Sequence, residues 1–199
     1  MYELYADLPK SVVFKRRTYA LNLSFDNVLS CYSLLSDPRV LDADRLPWTV
    51  QKLAGAETKK LCEQDLYLLF ETIFDTYINC TKRTASPKNK PKTLDFSCDS
   101  DLIYAAFMQT YQIDLFAEHG HLPWWKFYAL LQGLPDSTKL RQVMRIRAQD
   151  IPSPNKYNAE EIKNLIEQKQ YYALPDTVRG ESYQAGLQTM WNTLLKQCR

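Results

Sequence analysis

The chain has 199 residues, a formal net charge of +2 and 45% hydrophobic residues, a composition that excludes disordered and fibrous proteins. So small a charge does not by itself indicate nucleic-acid binding, and only five glycines argue against an α/β enzyme with several glycine-rich ligand loops. Five dispersed cysteines without a CxxC pair indicate reduced thiols in a cytosol.

The first predicted element is a β-hairpin within residues 12–23, VVFKRRTYALNL. Residues 12–14 and 19–23 are rich in β-branched and aromatic side chains and flank a basic turn, which is typical of paired strands. A lone hairpin is only marginally stable, so we expect it to pack against the helices that follow.

Helical periodicity dominates the rest of the N-terminal part. The segments are a helix capped by Ser24 and ended by Asp37-Pro38, a helix from Asp44 to Ala54 that stops at Gly55, and a strongly periodic helix within 61–79.

Residues 81–93, TKRTASPKNKPKT, interrupt this periodicity with five basic residues, two prolines and no acidic residue. The segment predicts a mobile loop or linker. Two interpretations remain: a solvated connector, or an arm that contacts nucleic-acid phosphates through Lys88, Lys90 and Lys92.

The C-terminal part again predicts helices. The first helix has an N-cap at Ser97 or Asp99, and the second starts at Pro123 and ends at Gly133. The third starts at Pro135-Asp136 and carries Arg141, Arg145 and Arg147 at or near its C-terminal end, and the fourth starts with a capping box of Asn158 and Glu161. The last runs from about Thr177 and carries a stripe of Met190, Trp191 and Leu194. The three arginines complement the helix dipole.

The prediction for the whole chain is a mainly α protein, a compact bundle of about six to eight helices with a small N-terminal β-hairpin. Its parts are residues 1–80, 81–93 and 94–199, within one continuous domain.

The aromatic stretch HLPWWKFYALLQGL, residues 121–134, raises the question of a binding surface. Adjacent helical residues point about 100° apart, so Trp124 and Trp125 cannot form one flat platform. Trp124, Phe127, Tyr128 and Leu131 share a stripe with core spacing. We therefore expect Trp125 to be partly exposed and to be the partner-contacting aromatic of this stretch, whereas Met190, Trp191 and Leu194 are predicted to pack on the chain's own core or on a partner.

Catalytic and metal-site signals are weak. His119 and His121 are the only histidines, and their spacing suits a metal only on a strand, with Glu118 or Cys98 as conceivable further ligands. No GxSxG, GxxxxGK[ST] or GxGxxG motif occurs. The sequence therefore predicts no enzyme and no cofactor. No signal-peptide pattern is present and no apolar run reaches the roughly 18 residues of a membrane span, so we expect no membrane partner.

Residues 99–151 carry a recognisable combination of motifs: an acidic start, LIYAAF, a YQIDL turn, a histidine before WWKF, and ALLQGL before a Thr-led helix ending in IR. This run resembles the gene-product-fifteen family of phages and prophages of Gram-positive bacteria. The matching positions are Asp99 to Phe107, Tyr111, Ile113 to Leu115, His121, Trp124 to Phe127, Ala129 to Leu131, Gly133, Leu134, Thr138, Ile146 and Arg147. The family's turn glycine is Gln112 here, so we do not expect a left-handed residue at that position.

The resemblance implies a tail assembly chaperone encoded beside the tape-measure gene. Such a protein would bind the tape-measure protein in the cytoplasm of the host bacterium and leave as tube subunits polymerise, and self-association is also conceivable. Two alternatives stay open: a nucleic-acid-binding accessory protein that uses the basic loop, and a minor structural protein of the virion.

Overall fold

The computed structural model describes residues 8–79, 92–153 and 157–175, which contain one β-hairpin and seven α-helices. In chain order these are β1 (Ser11–Phe14), β2 (Arg17–Ala20), α1 (Phe25–Ser36), α2 (Asp42–Ala54), α3 (Glu63–Ile73), α4 (Ser100–Tyr111), α5 (Trp124–Gln132), α6 (Lys139–Ala148) and α7 (Ala159–Tyr171). The predicted mainly α fold with an N-terminal hairpin is confirmed. No helix within the described ranges is both long enough and apolar enough to cross a bilayer.

The described residues group into two compact units. The first contains 8–79 and 114–132, and the second contains 92–113 together with the described residues after 132. The grouping is not linear along the chain, because the segment that carries α5 belongs to the first unit. The predicted part boundary at 81–93 stays a prediction, since residues 80–91 lie outside the described ranges.

The hairpin closes through a two-residue turn, Lys15-Arg16, in which both residues have positive φ (47° and 62°). This geometry matches the right-handed twist of the paired strands. Because Phe14 pairs with Arg17, the second strand begins two residues earlier than predicted and ends at Ala20. Val12 and Tyr19 are directly paired and both 4% exposed.

The hairpin is attached to the helices of its unit, as its marginal intrinsic stability requires. The backbone N–H of Asn22, just after the hairpin, donates to the Leu53 carbonyl at the end of α2 (2.8 Å), and the Lys15 ammonium pairs with Asp65 of α3. Beyond α3 the chain continues as a π-helical turn, Phe74–Ile78, so the helix predicted within 61–79 is not a uniform α-helix.

Three residues predicted as helix caps occupy N-cap positions, but their side chains form no capping hydrogen bond: Ser24, Asp99 and Asn158. The Ser24 hydroxyl donates to the side-chain carbonyl oxygen of Asn22 (2.9 Å), and the side-chain amide of Asn158 donates to the Ser153 backbone carbonyl (3.0 Å). These two side chains therefore bond to residues shortly before their helices, and the predicted capping box before α7 does not form.

In the second unit α6 packs against both α4 and α7, with Leu140 and Val143 fully buried. The residue after α4, Gln112, adopts φ 57° and ψ 31°. The expectation that Gln112 would not be left-handed is therefore wrong. Its backbone N–H donates to the Met108 carbonyl (3.1 Å), which closes the helix as a C-terminal cap.

Candidate partner-binding cleft

Trp124 is a core residue whose two donors tie together three segments of the first unit. Its backbone N–H donates to the Leu23 carbonyl (2.7 Å), and its indole Nε1–H donates to the Ile78 carbonyl (3.0 Å). The Ile78 carbonyl is available because the π-helical turn ends there and leaves terminal carbonyls without a helical partner. Trp124 is only 3% exposed, so this hydrogen bond removes the penalty of burying both groups unpaired, about 1–3 kcal/mol.

Aromatic rings surround Trp124 and rigidify the start of α5. Its ring lies 5.7 Å from both Tyr32 and Phe127, and Phe127 stacks on Phe25 at 4.9 Å. Offset and tilted ring pairs of this kind add about 0.5–1.5 kcal/mol beyond the burial of their area. Of the predicted core stripe, Trp124, Phe127 and Leu131 are buried, whereas Tyr128 is only half-buried.

The loop that leads into α5 is held on the N-terminus of α1. The Gly120 amide donates to the Asp26 carboxylate (2.9 Å), and the Phe25 amide donates to the Leu122 carbonyl (2.9 Å). Partial burial raises the pKa of Asp26, but hydrogen bonds from Gly120 and Ser24 outweigh it and leave the pKa below its ordinary value. The folded loop therefore stabilises the ionised form of Asp26 in the first turn of α1.

Trp125, one residue after the buried indole, is partly exposed and lines an open cleft of about 240 Å³. Many of the residues that line the cleft are apolar, and its charged or titratable members are Lys10, Tyr77 and His121. The full lining is Leu8, Pro9, Lys10, Leu21, Asn22, Leu23, Ser24, Tyr77, Gly120, His121, Pro123, Trp124 and Trp125. A mostly apolar concavity with a few polar groups is the usual form of a binding site.

The other predicted partner-contacting residues, Met190, Trp191 and Leu194, lie outside the described residues. So do Lys88 and Lys90 of the basic loop. Lys92 is described: its side chain is 11% exposed and pairs with Asp95 at 2.8 Å. A side chain so placed is poorly available to a phosphate.

The structure places the two histidines differently. The His119 ring packs 5.7 Å from both Phe25 and Phe116, whereas His121 lines the cleft. Across the ranges that the structure describes, no group of three or more His, Cys, Asp or Glu side chains is arranged to hold a metal ion.

Sequence reasoning missed a buried ion-pair cluster in the second unit. Arg147 binds Asp99 through two hydrogen bonds (2.7 and 2.8 Å), and the two side chains are 10% and 3% exposed. Arg147 also donates to the carbonyls of Tyr172 (2.6 Å) and Thr93 (3.0 Å). The cluster therefore joins the start of α4, the end of α6 and the residue after α7.

The cluster extends to Asp95, whose backbone N–H donates to the Asp99 carboxylate (2.9 Å). Partial burial raises the pKa of Asp95, but hydrogen bonds from the Lys92 ammonium and the Cys98 amide outweigh this and lower it overall. No sequence spacing could have joined Asp99 to Arg147, because each has a sufficient local explanation at its own helix end.

Comparison with known families gives a match to the family described as Bacteriophage Gp15 protein over residues 4–174. The matched range contains every cleft and cluster residue named above and ends before Met190. Neither the curated proteins nor the solved structures give a match. Because the family model covers far more than half of the chain, this protein belongs to the bacteriophage Gp15 family.

Proposed function

We propose that this protein is a tail assembly chaperone that binds the phage tape-measure protein without catalysing a reaction. The binding would take place in the cytoplasm of the host bacterium, before tube subunits polymerise around the tape-measure protein. The observation that carries the proposal is the cleft beside Trp125, a mostly apolar concavity within the range matched by a phage family.

The cleft suits an apolar side chain presented by a helix. An amphipathic helix docks in a groove through residues spaced three, four and seven apart, and one anchor in the cleft would be followed by contacts on the rim. Each large side chain that leaves water in this way contributes about 1.5–3 kcal/mol. Such contacts would cover apolar surface of the tape-measure protein that otherwise aggregates.

Trp125 is the expected anchor on this side of the interface. Tryptophan is enriched among the residues that dominate binding energy, and truncation of such a residue costs at least about 2 kcal/mol. Its neighbour Trp124 is held by the Leu23 and Ile78 carbonyls, so the cleft wall exists before the partner arrives. A preformed wall lowers the ordering cost of association.

Co-expression with the tape-measure protein of the same phage tests the proposal. We expect the tape-measure protein to become soluble and to co-purify, with a yield that saturates at a fixed stoichiometry because a chaperone of this kind acts by binding. Unchanged solubility together with no co-purification would refute it.

The Trp125→Ala variant should weaken binding of the tape-measure segment by about 30-fold or more. The matched control is Tyr171→Ala, which truncates an aromatic that is 81% exposed and does not line the cleft. Equal losses for both variants would contradict the role of the cleft. Salt-sensitive binding of DNA or RNA, in place of the protein partner, would favour the nucleic-acid alternative.

A further inference from the structure

A second surface of the first unit has the properties of a binding site and shares no residue with the Trp125 cleft. Trp48 is 49% exposed, and Leu41 is 72% exposed. Trp48 lies within the hydrogen-bonded helix α2, and Leu41 is its N-cap. An exposed indole on a rigid helix is a residue type that dominates binding energy at interfaces.

The Trp48 indole borders an open slot of about 210 Å³ lined by Pro47, Trp48, Gln51, Thr58, Lys59 and Leu66. Leu66 is 7% exposed, so its side chain forms part of a solid floor. Thr58 is 1% exposed, and its hydroxyl donates to the Gly55 carbonyl (2.7 Å), so that donor is already used. The slot is therefore suited to an apolar side chain.

The charged side chain among the residues that line this slot is that of Lys59. Lys59 lines the slot and is exposed, and within the described part of the chain no carboxylate lies within 4.0 Å of its ammonium. Its neighbour Lys60, in contrast, pairs with Glu57 at 3.2 Å. Lys52, one turn after Trp48, is also exposed and adds a second positive charge to this side of α2. Asp44, one turn before Trp48, adds a negative charge.

We propose that the surface formed by Leu41, Trp48, the slot, Lys52 and Lys59 binds an amphipathic helix of a partner protein. That helix carries a large apolar side chain, which enters the slot, and a carboxylate about one turn away, which pairs with Lys59. Charge complementarity selects this occupant, since a basic helix would meet the positive charge of Lys59 at the apolar slot. The inference does not depend on the function of the Trp125 cleft.

Two synthetic helical peptides with the same apolar stripe test the proposal, one flanked by glutamates and one by lysines. At low ionic strength, calorimetric titration of the full chain should show the glutamate peptide binding at least about tenfold more tightly. Trp48→Ala should remove most of this binding, and Lys59→Glu should reverse the preference between the peptides. Lys60→Glu is the matched control and should change neither affinity by more than about twofold.

Equal affinity of the two peptides would overturn the proposal, as would a Lys59→Glu variant that keeps the preference of the original chain. If Trp125→Ala, and not Trp48→Ala, removes binding, the peptide occupies the other cleft and the inference is wrong. Self-association that Trp48→Ala abolishes, without peptide binding, would assign the surface to a second copy and equally refute it. The Lys59 variants alter one exposed side chain, so they report on binding even if Trp48→Ala destabilises α2.

Discussion

Removal of the Arg147 side chain should reveal whether the buried ion-pair cluster supports the second unit. In Arg147→Ala the Asp99 carboxylate, 3% exposed, loses both hydrogen bonds from the guanidinium, and the Tyr172 and Thr93 carbonyls lose a donor each. Breaking a buried pair in this way costs about 3–5 kcal/mol. The loss would be a large part of the roughly 5–15 kcal/mol by which a typical domain is stable.

Arg145→Ala is the matched control, because Arg145 lies in the same last turn of α6 but is exposed. If the arginines serve only to complement the helix dipole, both variants should lose the same small amount, about 0.3–1 kcal/mol. The structure instead predicts a loss for Arg147→Ala several times larger than that for Arg145→Ala. The pair of variants thus separates the sequence-based explanation from the structural one.

Urea denaturation followed by far-ultraviolet circular dichroism measures both losses, and hydrogen exchange of the α6 amides assigns them to the second unit. Replacing Arg147 and Asp99 together by methionine and leucine should recover part of the loss, since no charge is then left buried without a partner, whereas the Tyr172 and Thr93 carbonyls still lack their donor. Equal destabilisation by Arg147→Ala and Arg145→Ala would refute the reasoning, as would a double replacement that recovers none of the loss caused by Arg147→Ala.

Three further predictions follow from the first and second units. Gln112→Gly should raise the free energy of unfolding by about 1 kcal/mol, because glycine adopts the left-handed conformation without strain. Gln168→Gly within α7 should lower it by about 1 kcal/mol, because glycine is unfavourable inside a helix. Urea denaturation measures both changes and shows whether their signs are opposite. The lowered pKa of Asp26 contributes stability above its ordinary pKa near 4, which is lost as the pH falls through the folded-state value. Asp26→Asn should therefore flatten the acid part of the stability profile, and an unchanged profile would contradict this. Burial raises the pKa of the Cys31 thiol to about 12, so peptide mapping after alkylation at neutral pH should find Cys31 far less modified than the exposed Cys62.

Prediction from the sequence succeeded where a signal is local and repeated. The spacing of five apolar residues predicts one inward face of α1, and four of them are buried while Leu29 is half-buried: Phe25, Val28, Leu29, Tyr32 and Leu35. The same periodicity separated Trp124 from Trp125, and the structure places the first in the core and the second on the cleft. Hydrophobic burial acts on whole helical faces, so a pattern read from the chain suffices to find them.

Prediction failed where a residue has more than one satisfactory local role. Ser24 and Asn158 are good caps by type, yet their side chains bond to loops because the surrounding fold offers other partners. Gln112 disfavours the left-handed region, yet it adopts that conformation because the chain must turn after α4. A strain of about 1–2 kcal/mol is small beside the packing that imposes it.

The sequence by itself determined the mainly α class, the hairpin, the faces of the helices and the motifs that mark the phage family. Those properties follow from periodicity and residue type, which act over a few residues. Only the tertiary structure decided that Arg147 meets Asp99 and that the Trp124 indole meets the Ile78 carbonyl. Such pairs join residues 48 and 46 positions apart, and their formation depends on how separate helices pack, which no local pattern encodes.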